Sequence, residues 1–185
     1  MLLHMAGFDI ADVRPPNVPE ERDPSEAPIA YARRLSKDKA RAVSAEGAWI
    51  LAADTIVHMG DSIYEKPRDT ADAVRMLTDL SGCWHQVTSA WCLRWGGVDE
   101  PPSGRRALHG HRTSRVLFRS LSPLEITRYV DTGEGADKAG GYAIQGDGSS
   151  LIERVVGSTT NVVGLPLEAV IPALLKSGVT RGIDR

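Results

Sequence analysis

AWILAADTIVHMG, residues 48–60, is an almost unbroken apolar run interrupted by one carboxylate, Asp54. Its near-continuous apolar part reads as a β-strand ending at Asp54 and buried on both faces, as in a sheet covered by helices. A carboxylate in that position is costly to desolvate unless a charged or hydrogen-bonding group compensates it. Asp54 therefore either pairs structurally or holds a metal or a water. Ligands of open α/β sheets gather at the carboxyl ends of strands, so Asp54 and Thr55 stand where chemistry is expected.

On the N-terminal side, Ser25 can cap a helix running to about Val43, with Ile29, Ala32, Leu35 and Val43 as a partial apolar stripe. Lys39 lies four residues from both Leu35 and Val43, on that stripe, either as a snorkelling side chain or as a cleft lysine. Arg33, Lys37 and Arg41 lie off it. Before the helix, RPPNVPEERDP (14–24) is an irregular connection holding Glu20, and FDIADV (8–13) is a short strand candidate. MLLHMAG (1–7) reads as the second half of an amphipathic helix stopped by Gly7, not as a signal peptide.

On the C-terminal side, GDS (60–62) reads as a tight turn and YEKP (64–67) as a loop presenting Lys66. Asp69 or Thr70 caps a helix to about Leu80, carrying Val74 and Leu77 and ended by Gly82. CWHQVTSAWCLRW (83–95) is a long strand with mixed faces, GGVDEPPSGRRALHGH (96–111) a surface excursion, and TSRVLFRS (113–120) a further strand. SPLE (122–125) starts a helix with a capping box, LIERVV (151–156) is a strand, and a last helix begins at Pro166 or Leu167 and stops at Gly178. Strands and helices alternate, which predicts a single α/β domain with two small lobes.

The composition excludes several classes. Hydrophobic residues make up 42% and charged residues 25%, and 24 acidic groups face 22 Lys and Arg, so a net charge of -2 gives no general attraction to nucleic acid or anionic membrane. GRRALHGHRTSRVLFRS (104–120) is the one local basic field, too little to make nucleic acid the expected partner. No apolar run approaches the roughly 20 residues needed to span a bilayer. Cys83 and Cys92 form no CxxC or convincing zinc spacing, which points to a reducing, cytoplasmic setting. Neither GxGxxG nor GxxxxGK[ST] occurs.

What remains is a set of acids and lysines. Asp54 and Glu20 suit a divalent ion, Lys39 and Lys66 suit phosphate oxygens, and Asp137 with Lys138 adds one charge of each sign. Together they fit phosphoryl transfer to water, where a protein chiefly positions reactants and offsets charge; scattered over a surface they would be solvated charges. His85, on a strand face, is a ligand, an acid–base group or a locally satisfied histidine.

AADTIV (52–57), EKP (65–67), LSGCWHQVTSAW (80–91), DKAGGYAIQG (137–146) and NVVGLPL (161–167) together resemble the Maf-like nucleoside triphosphate pyrophosphatases. The resemblance implies a mixed α/β sheet flanked by helices, with two lobes around a central cleft, similar to the inosine triphosphate pyrophosphatases. It implies hydrolysis of a nucleoside triphosphate to the monophosphate and pyrophosphate with a divalent metal, Mg or Mn, in a cytoplasmic and often homodimeric protein. By the same resemblance Asp54 matches the proton acceptor, and Glu20, Lys39 and Lys66 match substrate-binding positions. Thr55 and Gln145 match the positions that accompany preference for dTTP and UTP, and a glutamine suits the imide edge of thymine or uracil because it offers both a donor and an acceptor.

Two features depart from the family pattern. Family members open with a strand and an S-x-SPRR motif, of whose following helix only LLHMAG is present, so the expectation is a shortened single domain. Its alternative function is a catalytically weakened nucleotide-binding or division-associated protein on the same scaffold. GEGADK (133–138) replaces the usual GEP-x-DK, a matter of loop stiffness.

Overall fold

In the structure, a computed structural model describing residues 2–101 and 103–182, the run around Asp54 forms strand β1, Trp49–Met59. Met1, within the N-terminal helix reading, and Pro102, within the excursion, lie outside the described residues. Asp54 sits in the middle of β1 and not at its end. The β-branched Thr55, Ile56 and Val57 sustain the extended backbone until Gly60, whose φ of 56° turns the chain. Strand β2, Ser62–Tyr64, then returns antiparallel, pairing Val57 with Tyr64 and Met59 with Ser62. A hairpin thus follows Asp54, and several residues of β1 are only partly buried.

The sheet has the order β2-β1-β3-β4-β5, with β3 at Trp84–Trp95, β4 at Ala107–Phe118 and β5 at Ile152–Val156. β4 and β5 are antiparallel, with a register shift between Leu117 and Phe118. The α/β class is as expected, but ALHGH (107–111), expected in the excursion, is the first part of β4. FDIADV forms no strand: Phe8 is buried in a core, and residues 9–13 run irregularly into Pro15 and Pro16, which lack the donors a ladder needs.

Six α-helices, α1 Leu2–Met5, α2 Pro28–Ala42, α3 Thr70–Leu80, α4 Pro123–Asp131, α5 Thr159–Val163 and α6 Leu167–Lys176, and two short 3-10 helices, Ala139–Gly141 and Gly146–Leu151, complete the elements of the described residues. Asp69 caps α3 and Ser122 closes a capping box with Glu125 on α4, as the sequence predicts. α2 differs. Ser25 spends its amide and hydroxyl on Asp23 Oδ1, and the helix starts after Ala27 with Pro28 in the first turn, where a missing N–H costs nothing. Its buried face is Tyr31, Ala32, Leu35, Ser36 and Ala40, while Ile29 is exposed. At its other end, Arg94 of β3 donates to the carbonyls of Ala40 (2.8 Å) and Val43 (2.6 Å), placing a cation on the negative end of the helix dipole. The short α5 follows no strong periodicity and was not expected.

The chain divides into two compact units: residues 1–54, 89–112 and 164–185, and residues 55–88 and 113–163. The first has a core of Phe8, Trp91, Leu93, Val170, Ala173 and Leu174. The second is built on Leu77, Leu80, Val87, Val116, Phe118 and Tyr142, among others.

His85 belongs to this second core. It is 2% exposed, its Nε2 lies 2.8 Å from the Tyr142 hydroxyl, and its ring meets Phe118 edge-on. Burial holds its pKa at about 4, with His58 lowering it and the Cys83 backbone opposing. The folded chain therefore binds this proton less readily than the unfolded chain, whose histidine titrates near 6.5. The stability from keeping His85 neutral is complete above that value and is lost as pH falls towards 4, by up to about 3 kcal/mol. Urea unfolding across this range should show a shallower acid-side decline in His85→Gln than in the parent. Parallel declines would show that His85 is not the group responsible.

Candidate active site

Glu20, Lys39 and Asp54 come from a loop, a helix and a strand, and they meet in the first unit. Lys39 Nζ lies 2.5 Å from Asp54 Oδ1 and 2.7 Å from Glu20 Oε1. The Asp54 side chain is 7% exposed, that of Lys39 17% and that of Glu20 42%, so the cluster grades from buried to open. Of the two alternatives for Lys39, the structure has the lysine reaching a carboxylate and not snorkelling past it.

The sequence reading missed what holds Glu20 there. Tyr31, buried on α2, donates its hydroxyl to the Glu20 carbonyl at 2.6 Å, and Arg34 Nη2 donates to the Glu21 carbonyl at 2.8 Å. Arg34 also pairs with Glu26, which keeps its pKa raised. The irregular loop is thus pinned to the helix that carries Lys39. The available signal was weak: a tyrosine and an arginine near the start of a helix whose other buried positions are small or apolar.

The electrostatics keep the ammonium charged. Burial pulls the Lys39 pKa down, but hydrogen bonds to Asp54 and Glu20, and then their charges, outweigh it and leave the value above the ordinary lysine range. Two carboxylates share the one ammonium of Lys39. Among the described residues no cluster of three or more His, Cys, Asp or Glu could hold a metal by itself. Two adjacent carboxylates nevertheless fit a hard divalent cation, which commonly takes one or two carboxylates from protein and the rest of its shell from phosphate and water.

Thr55, Lys66 and Gln145 belong to the second unit. Strand alternation directs Thr55 to the face of β1 opposite Asp54. Lys66 lies in the loop after β2, beside the glycine-rich segment: Glu65 accepts the Gly140 N–H at 3.0 Å. Asp137 is ion-paired with Lys138, which holds its carboxyl below the usual range with a smaller contribution from Lys66. Gln145 is exposed, in extended backbone just before a helical turn over Gly146–Leu151. His85 is a core group with a local partner, and Cys83 and Cys92 are free thiols, half-buried and buried respectively.

Residues 1–177 match the family profile described as Maf-like protein. The chain belongs to the Maf-like family. This Maf-like chain is 46% identical over 179 residues to the dTTP/UTP pyrophosphatase of Geobacter metallireducens, covering 96% of the chain and 90% of that relative. It is 42% identical over 177 residues to the dTTP/UTP pyrophosphatase of Syntrophomonas wolfei, covering 92% and 90%. With the Aquifex aeolicus protein of the same name it shares 40% over 168 residues, covering 90% and 83%. No helix among the described residues is long and apolar enough to cross a membrane.

Proposed function

We propose that the chain is a nucleoside triphosphate pyrophosphatase that hydrolyses dTTP and UTP to the monophosphate and pyrophosphate. The observation that carries this reading is the Glu20–Lys39–Asp54 cluster, in a chain whose relatives are named dTTP/UTP pyrophosphatase. Asp54 is the proton acceptor. The oxygen of a water attacks the α phosphorus, its proton passes to the Asp54 carboxylate, the bond to the bridging oxygen breaks, and pyrophosphate leaves.

The neighbouring ammonium suits Asp54 to this role, because it offsets the desolvation that would otherwise neutralise a buried carboxylate before it could take a proton. Lys39 has three N–H donors, two of which serve Asp54 and Glu20, so a third direction suits a phosphate oxygen. Lys66 provides a second cation for the phosphates. Asp54 and Glu20 are the residues that would hold the divalent cation, Mg²⁺ or Mn²⁺, which when bound neutralises triphosphate charge. Gln145 reads the imide edge of the pyrimidine, with Thr55 as the second specificity position. A cytoplasmic setting, a homodimeric state and a single-domain organisation go with this reading.

The test is pyrophosphate release from dTTP, UTP, dCTP and 7-methyl-GTP by the purified protein with Mg²⁺ or Mn²⁺. Turnover of dTTP and UTP well above the other two is expected. No pyrophosphate from either would sink the proposal, and dTTP binding without hydrolysis would favour the nucleotide-binding alternative.

A further inference from the structure

The loop that carries Gln145 is held from both sides by two side chains the proposed reaction does not use. Glu134, just beyond α4, accepts the Asp147 N–H with Oε1 at 3.0 Å and the Gly148 N–H with Oε2 at 2.8 Å. Tyr129, on α4 and 5% exposed, accepts the Ala143 N–H at 3.0 Å. Burial first, and the nearby Glu134 carboxylate in addition, hold the Tyr129 pKa above the usual tyrosine range.

The loop closes tightly on this pair. A Cβ at Gly146 would stand 1.8 Å from Glu134 Oε1, and one at Gly148 would stand 2.1 Å from the Ala143 carbonyl and 2.8 Å from the Tyr129 hydroxyl. Gly146 also has a φ of 73°, in the region that favours glycine. Gln145 sits between the two clamped ends, exposed, with its own backbone extended.

We propose that Glu134, acting with Tyr129, is the positioning residue for base selection: its carboxylate fixes the 143–148 loop so that Gln145 meets the pyrimidine edge in one orientation. The proposal rests on the reading of Gln145 as the group that recognises the base. The two oxygens of the carboxylate serve the two amides, one each. A glutamine in its place has one accepting oxygen and turns its amide N–H₂ group towards the other backbone N–H, donor against donor. Displacing a substrate-reading group by about 1 Å is enough to lower discrimination by one to two orders of magnitude.

Three variants separate the possibilities: Glu134→Gln, Tyr129→Phe and, as the reference for lost base reading, Gln145→Ala. For each, kcat and KM with dTTP and dCTP, amide hydrogen exchange at residues 147 and 148, and the urea midpoint are measured. Glu134→Gln is expected to speed exchange at those amides and to cut the dTTP-over-dCTP ratio of kcat/KM about 10-fold, with more of the loss in KM than in kcat. Tyr129→Phe should do the same to a smaller degree. Unchanged exchange in Glu134→Gln would overturn the clamp whatever the activity. So would a lowered urea midpoint with both substrates slowed equally, which is the behaviour of a purely structural residue. If Gln145→Ala keeps its discrimination, the base-reading assignment fails and this proposal with it. If Gln145→Ala loses discrimination and Glu134→Gln keeps it, only the clamp fails.

Discussion

Asp54→Asn should lower turnover of dTTP and UTP by about 10²–10⁴-fold while the protein stays folded. Asparagine keeps the shape and the hydrogen-bonding oxygen of aspartate but takes up no proton from an attacking water. The structural loss is contained, because Lys39 retains Glu20 at 2.7 Å and is not left without a counter-charge. Steady-state pyrophosphate release and urea unfolding on the same preparation check the two halves. A rate within 10-fold of the parent would remove Asp54 from the role of proton acceptor, and a collapse of the unfolding transition would make it a structural residue first.

Lys39→Met has the opposite balance, with a large cost to stability as well as to activity. Methionine replaces the aliphatic stem but leaves Asp54, 7% exposed, without the ammonium it contacts. Breaking a buried pair from one side costs about 3–5 kcal/mol; the open Glu20 end of this cluster favours the lower part of that range. The sign of the pH dependence follows from which charge is removed. In Lys39→Met the deficit relative to the parent is full at neutral pH and shrinks at a pH acid enough to protonate carboxylates in general, where the lost ammonium has less charge to meet. In the parent, the Lys39 pKa stands above its usual 10.5, so the stability its charge supplies is present below that value and is lost as pH rises through the raised one.

A double variant sharpens the comparison. Lys39→Met with Asp54→Asn removes the stranded charge along with the cation, so it should recover much of the stability of Lys39→Met and none of the activity. A deficit of Lys39→Met that is under about 1 kcal/mol at pH 7, or that does not change with pH, would show that the contact between Lys39 and Asp54 contributes little.

The features read correctly from sequence have local causes. Asp69 and Ser122 cap their helices because each has a short side-chain acceptor within reach of its own next turn, and the β-branched and aromatic content of residues 83–95 suffices for a strand. The errors fell where one signal competed with another, near in the chain or far from it. Ser25 had the chemistry of a cap, but Asp23 occupied it and Pro28 supplied a better start. Ile29 matched an apolar stripe, yet the packing of α2 chose the face that carries Tyr31, Leu35 and Ala40. ALHGH read as loop from the Pro, Gly and charge content of residues 96–111 as a whole, and the neighbouring strand extended β4 through it all the same.

By itself, the sequence determined the α/β class and the ends of two helices, which depend on composition and on spacings of a few residues. The candidate roles of Asp54, Glu20, Lys39, Lys66, Thr55 and Gln145 came from the resemblance that its motifs carry. Only the tertiary structure decided that Asp54 lies mid-strand against Lys39, that Tyr31 pins the loop bearing Glu20, and that Glu134 and Tyr129 grip the loop bearing Gln145. The physical reason is that a hydrogen bond or ion pair between groups far apart in sequence has no periodicity to betray it. It forms where packing brings two desolvated polar atoms together and leaves each with no cheaper partner than the other.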